Sequence, residues 1–200
     1  MSFDALIPNS IVISGARLSL GPLSADLAPF YNQLRNDLRV QKTAGLPLYP
    51  VSLDQTLKNM EEGWASNETA SHFTVYQQAG WRPIGYANLR DIDYFHGVAE
   101  FGISLHREFW NQGFGTETAK LVLAYGFRML NLHSIYLTVD GVNPGGQRAY
   151  SKAGFREVGR YREAVIVERE RYDLIMMDCL AREFTPPDVL TWGPPDAKRA

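Results

Sequence analysis

Glu100-Phe-Gly-Ile-Ser-Leu-His-Arg-Glu-Phe-Trp-Asn-Gln-Gly-Phe-Gly-Thr-Glu-Thr-Ala119 carries an alternating strand into a glycine-punctuated turn and then into an amphipathic helix. Over residues 98 to 105, Ala99, Phe101, Ile103 and Leu105 fall on one face and Val98, Glu100, Gly102 and Ser104 on the other, the pattern of a half-buried strand. Beyond the turn, Ala119, Val122, Leu123, Gly126, Phe127 and Leu130 recur at the spacing of a helix packed on a sheet. Gly113 and Gly115 therefore stand at a helix start. There they allow close approach of backbone to a ligand, and the first-turn N–H groups, with the positive end of the helix dipole, suit an anion such as pyrophosphate.

The 200 residues, 45% of them hydrophobic, suffice for one domain with a substantial core. A net charge of −2 and the lack of a Lys/Arg run give no nucleic-acid or anionic-membrane surface. The start Met1-Ser-Phe-Asp-Ala has no secretory pattern, and no apolar run reaches the roughly 20 residues needed to span a bilayer. The expected location is the cytoplasm. Cys179, the sole cysteine, sits in the apolar run Leu174 to Leu180 and reads as a core thiol. His72, His96, His106 and His133 lack H-x-x-x-H spacing, so no metal site is expected. The turn lacks the third glycine of a dinucleotide fingerprint, and no Gly-Lys-Ser/Thr is present for a nucleotide P-loop.

Elsewhere the pattern predicts a strand around Val12 to Leu20, then a helix over about Asp26 to Leu38 with Ser24 as N-cap. A second helix is predicted at about 53 to 64, and the intervening loop, residues 40 to 50, is placed to cover a pocket. His72 to Gln77 and Ile84 to Leu89, around Ala79-Gly80, read as a hairpin that the 98 to 105 strand extends. Ile135, Leu137 and Val139 mark a strand joined to its predecessor through a helix, a βαβ crossover that makes this pair parallel. A helix at about 145 to 153 and strands near 155 to 167 and 172 to 181 complete a mixed α/β domain over residues 1 to 182. The tail 183 to 200, with four prolines, is expected to be extended, with Val189, Leu190 and Trp192 either docked on the body or on a second subunit, or frayed. Edge strands and Trp192 leave room for a homodimer.

Asn143-Pro-Gly-Gly-Gln-Arg-Ala-Tyr-Ser-Lys-Ala-Gly-Phe155 supplies a cap, a short helix and a terminating glycine directly after the parallel strand. Together with Ala99 to Leu105 and Trp110 to Glu117, this segment resembles the GNAT superfamily of acetyl-CoA-dependent N-acetyltransferases, especially the branch of the Rim-type ribosomal-protein N-terminal acetyltransferases. The resemblance covers about residues 12 to 182. It implies the GNAT fold: a mixed, mostly antiparallel sheet with a splayed parallel pair and helices on both faces. Acetyl-CoA would lie in the gap along Ile103, Ser104 and Leu105. Its pyrophosphate would be held by the backbone around Asn111, Gln112, Gly113, Phe114, Gly115 and Thr116, with Asn143 and Tyr150 completing the cofactor face. Trp110 replaces the family's usual Arg or Gln, and Gly146 a frequent serine.

Transfer of acetyl to an amine requires a neutral nucleophile, a stabilised oxyanion and a proton for the leaving thiolate, and no metal. The resemblance implies Glu100 as base, directly or through a water; the residues alone equally allow a glutamate paired with a neighbouring Arg or Lys. It implies Tyr150 as acid beside the thioester sulfur, against the alternative of a packing tyrosine, and a backbone N–H near Ile103 as oxyanion donor. Asp91, Asp93 and Tyr94, in the loop before the cofactor strand, are further candidates to attract a cationic amine. The leading acceptor by branch resemblance is a protein N-terminus. The alternatives are a small amine such as a polyamine, amino sugar or antibiotic, or an acyl-CoA sensor without turnover.

Overall fold

The computed structural model describes residues 10–43, 49–64 and 68–195. The first predicted strand is a tight hairpin, β1 (Ile13–Ser14) and β2 (Leu18–Pro22), closed where the Gly15 N–H donates to the Leu18 carbonyl at 2.8 Å. Ser24 provides no side-chain cap; it precedes a single 3-10 turn, and α1 (Ala28–Asn36) follows. The helix expected to reach Leu38 breaks at Asp37, whose extended backbone (φ −74°, ψ 109°) interrupts the hydrogen-bond ladder. The Asp37 carboxylate accepts the Arg39 N–H at 2.9 Å, a local bond that favours a new start, and α2 (Leu38–Thr43) begins there. α3 (Leu53–Asn59) is capped by Ser52, which accepts the Gln55 N–H at 3.1 Å, and passes into a π-helical turn over Met60–Trp64.

β3 (Ser71–Gln77) and β4 (Arg82–Asp93) form the expected hairpin, and β5 (Val98–Leu105) pairs with β4 along its length. β4 is longer than its alternation indicates: Asp91 and Asp93 lie in the strand, at a bulge where Asp91 takes φ 51°, and not in a loop. The chain continues through α4 (Phe114–Arg128), β6 (Ser134–Asp140), α5 (Pro144–Ala153), β7 (Arg156–Val167) and β8 (Glu170–Leu180). β9 (Thr191–Trp192) then returns to pair with β1. This last stretch is thus tied to the body, with Ile13 opposite Trp192, Leu190 against the core and the Phe184 ring 5.3 Å from that of Phe127.

One sheet runs in the order β7-β8-β6-β5-β4-β3-β2-β1-β9, antiparallel throughout except for β5 and β6. α4 packs its apolar stripe, with Leu121, Val122 and Leu123 fully buried, on one face over Leu89, Phe101 and Ile135. Each such side chain stabilises the fold by about 1.5–3 kcal/mol relative to exposure. On the opposite face α1 seats Phe30 and Tyr31 against Tyr76, and the Tyr31 hydroxyl meets Thr74 Oγ1 at 2.6 Å. No described helix is long and apolar enough to cross a membrane.

Candidate active site

β5 and β6 diverge soon after they meet. Their parallel register holds for Val98–Ser134, Ala99–Ile135 and Glu100–Tyr136 and stops there. Beyond it, Gly85 to Leu89 of β4 keep Phe101 to Leu105, while Leu174 to Met177 of β8 keep Leu137 to Asp140. Each strand retains one partner, so the gap between them exposes main-chain groups without unravelling either. A cleft of about 920 Å³ opens at this divergence, lined by Ile103, Ser104 and Leu105 on one wall and by Thr138, Val139 and Asp140 on the other.

The turn after β5 closes one end. Trp110, where the resemblance leads to an expected Arg or Gln, donates its indole N–H to the Leu105 carbonyl at 2.8 Å and so ties the loop to the strand end. Asn111 (φ 58°) and Gly113 (φ 82°) adopt left-handed conformations, tolerated by Asn and natural to Gly, and curl the backbone toward the cleft. Gly113 is the N-cap of α4 and brings no capping side chain, and the ladder starts with the Glu117 N–H on the Gly113 carbonyl. The N–H groups of Phe114, Gly115 and Thr116 therefore stay available to an anion. The Gln112 side chain donates to the Glu108 carbonyl at 2.6 Å, and the Phe114 ring is buried against Phe109. Thr116 faces the cleft with its hydroxyl given to the Ala149 carbonyl at 3.2 Å.

Arg17, which nothing in its local sequence marks, buttresses this loop. Its guanidinium bonds Glu117 at 2.9 Å and the Gln112 carbonyl at 3.0 Å and lies over the Phe114 ring. Contacts about 100 residues apart in sequence leave no local signature. Arg148 and Lys152 of α5 add positive charge to the cleft lining.

Asn143 also lines the cleft, but its side chain is committed internally. Oδ1 accepts the Gly146 N–H at 2.8 Å as cap of α5, and Nδ2 donates to the Thr43 carbonyl at 2.9 Å. These two bonds set the start of α5 and hold the end of α2 beside the cleft. Val40 and Thr43 belong to the lining; the centre of the expected covering loop, residues 44–48, lies outside the described residues.

Glu100 stands at the apex of the divergence, with both carboxylate oxygens engaged by Arg90, at 2.6 and 3.1 Å. This is the paired alternative that the sequence leaves open. Each oxygen keeps a lone pair for a further donor, so a water-mediated role is compatible with the geometry. Arg90 has no motif to mark it, although the β4–β5 register sets it directly opposite Glu100. Tyr150, on α5, packs edge-on to Phe101 with ring centres 6.0 Å apart, and its hydroxyl has no hydrogen-bond partner among the described residues. Burial pushes that phenol up to about 12, so it stays protonated across any working pH. Asp91, Asp93 and Tyr94 do not reach the cleft lining; the Asp93 carboxylate instead accepts the N–H groups of Phe95 and His96 in the turn before β5. Among the described residues no cluster of three or more His, Cys, Asp or Glu can hold a metal. Cys179 is buried in the core, its thiol pushed up to about 11 mainly by that burial.

The cleft fits coenzyme A in kind: unpaired strand backbone for an extended amide-bearing arm, an uncapped helix start for a diphosphate, and a half-buried phenol beside Phe101. Comparison with known proteins agrees. The family model described as an acetyltransferase (GNAT) domain matches residues 17–156. The spermidine N(1)-acetyltransferase of Escherichia coli K12 is 27% identical over 171 residues, 86% of this chain and 90% of that protein. The crystal structure of spermidine N-acetyltransferase from Vibrio cholerae, in complex with CoA and spermine, superposes with a TM-score of 0.77 at 28% identity, covering 84% of this chain and 97% of that one. A putative ribosomal N-acetyltransferase of Bacillus subtilis, YdaF, is 26% identical over 100 residues, half of this chain. With its strands separated over the cleft and its helix start uncapped, the chain belongs to the GNAT family and is an acetyl-CoA-dependent N-acetyltransferase.

Proposed function

We propose that the acceptor is a primary amine of a polyamine, in preference to the protein N-terminus that the Rim-like motifs lead one to expect. The observation that carries this reading is the length of the likeness: the spermidine acetyltransferase of Escherichia coli aligns over 90% of its own chain and the Vibrio cholerae structure superposes over 97% of its own, whereas the putative ribosomal enzyme aligns over 55% of its own.

In this proposal acetyl-CoA supplies the acyl group, and the chain's residues place and stabilise it. An unpaired backbone N–H of β5 near Ile103 meets the negative charge that develops on the carbonyl oxygen. Glu100, its oxygens already held by Arg90, takes the amine proton through a water. Tyr150 donates to the sulfur as the C–S bond breaks. A phenol near 12 is too weak an acid to surrender its proton outright to a thiolate of about 8.5, so its contribution is a strong hydrogen bond at that stage.

A thiol-release assay with acetyl-CoA against polyamines, N-terminal peptides, amino sugars and aminoglycosides tests the acceptor. Spermidine or spermine should exceed the peptides in kcat/KM by at least about tenfold, the equivalent of about 1.4 kcal/mol in transition-state binding. A peptide preference would restore the N-terminal reading, and a flat panel would leave a CoA-binding sensor.

A further inference from the structure

Among the described residues, the charged side chains lining the cleft belong to Arg90, Glu100, Asp140, Arg148 and Lys152. Arg90 and Glu100 satisfy each other, and Arg148 and Lys152 stand on α5. Asp140 is different. It is the last residue of β6, 6% exposed, and its carboxylate has neither an ion pair nor a hydrogen bond among the described residues. Burial raises its pKa from the ordinary carboxylate value, with no neighbouring cation to offset the effect.

Asp140 shares a face of the sheet with Glu100. Along β6, Ile135, Leu137 and Val139 enter the core under α4, which leaves Tyr136, Thr138 and Asp140 on the other side, and Tyr136 is the register partner of Glu100. From the opposite wall Asn88 on β4 faces the same space across Gly102, its register partner, and its Oδ1 is buried without a donor. Two acceptors with no donor, one of them anionic, therefore front one chamber. A carboxylate half withdrawn from water and left without a protein partner is destabilised, and a ligand that brings positive charge and several N–H donors relieves this.

Resting on the polyamine reading above, we propose that Asp140 is the anionic subsite of the acceptor chamber, which binds an ammonium group of the polyamine that is not the one being acetylated. The reacting amine must be neutral, whereas the other nitrogens of spermidine stay protonated. A fixed carboxylate beyond the divergence holds such a nitrogen and thereby orients the chain toward the thioester, a specificity device separate from proton transfer.

The test is steady-state kinetics of wild type, Asp140→Asn and Asp140→Glu with spermidine and with butylamine, a monoamine lacking the second charge. Loss of one charge-assisted contact should raise the KM for spermidine about ten- to hundredfold in Asp140→Asn. Its kcat should change by less than about threefold, its KM for acetyl-CoA and its calorimetric CoA affinity should be retained, and Asp140→Glu should recover some of the spermidine affinity. Butylamine kinetics should not change. Retained CoA affinity shows that the variant is folded. A variant whose kcat collapses at unchanged spermidine KM would make Asp140 a proton acceptor and overturn the subsite. Unchanged kinetics in every respect would overturn it alone, and a wild type that neither binds nor acetylates spermidine would overturn the polyamine reading as well.

Discussion

Asn143→Ala separates shaping of the cleft from contact with the coenzyme. The side chain makes two bonds, one as cap of α5 to the Gly146 N–H and one across to the Thr43 carbonyl at the end of α2. Losing an asparagine cap costs about 1 kcal/mol, and a hydrogen bond to a half-buried carbonyl about 1 kcal/mol more. For a chain of this size each kcal/mol lowers Tm by about 2–4 °C, so the variant should melt about 4–8 °C below wild type. Asn143→Ser keeps an acceptor for the Gly146 N–H and cannot reach Thr43; it should lose about half as much. Calorimetric melting together with CoA titration reads both effects. CoA affinity should stay within about threefold of wild type in each variant. An Asn143→Ala protein with unchanged Tm and a tenfold weaker CoA affinity would refute this reasoning and make the side chain a cofactor contact.

Tyr150→Phe removes the only polar atom of a side chain otherwise packed on Phe101 and Phe155; loss of one hydrogen bond to the developing thiolate should lower kcat about 10- to 100-fold, with the KM for acetyl-CoA little changed. Glu100→Gln should lower kcat about a hundredfold, whereas Arg90→Gln should cost less than tenfold; equal losses would reduce Glu100 to one half of an ion pair. Asp140→Asn has a stability consequence of opposite sign to its kinetic one. Because the folded state raises the carboxyl pKa, the native chain binds that proton more tightly than the unfolded chain. The ionised group therefore destabilises the fold above its folded pKa and has no effect below its unfolded pKa. Calorimetry should find Asp140→Asn more stable than wild type near pH 8, with the gain disappearing as pH falls into the carboxylate range.

The elements written in short periods are legible in the sequence. The 98 to 105 strand matches β5 residue for residue, and the alternation at Ile135, Leu137 and Val139 with an intervening helix gives the parallel pair. What stays hidden depends on single residues overriding a pattern. Asp37 breaks a helix whose periodicity continues through it, and a bulge carries β4 past Leu89 to Asp93. At the site, main-chain positions are readable because Gly113 and Gly115 punctuate a helix start. Side-chain roles are not: Arg17 and Arg90 acquire meaning only from distant partners and from register. Trp110 reads as a substitution in a phosphate motif and is a donor to the strand end.

The divergence of β5 from β6 as the coenzyme site is the central claim, and hydrogen exchange with and without CoA addresses it directly. Saturating CoA should slow exchange of the amides within Phe101 to Leu105, which lose their neighbour on β6, and within Gln112 to Thr116 at the start of α4, while the paired amides of β7 and β8 remain as they were. CoA binding that protects another surface and leaves these two segments unchanged would contradict it.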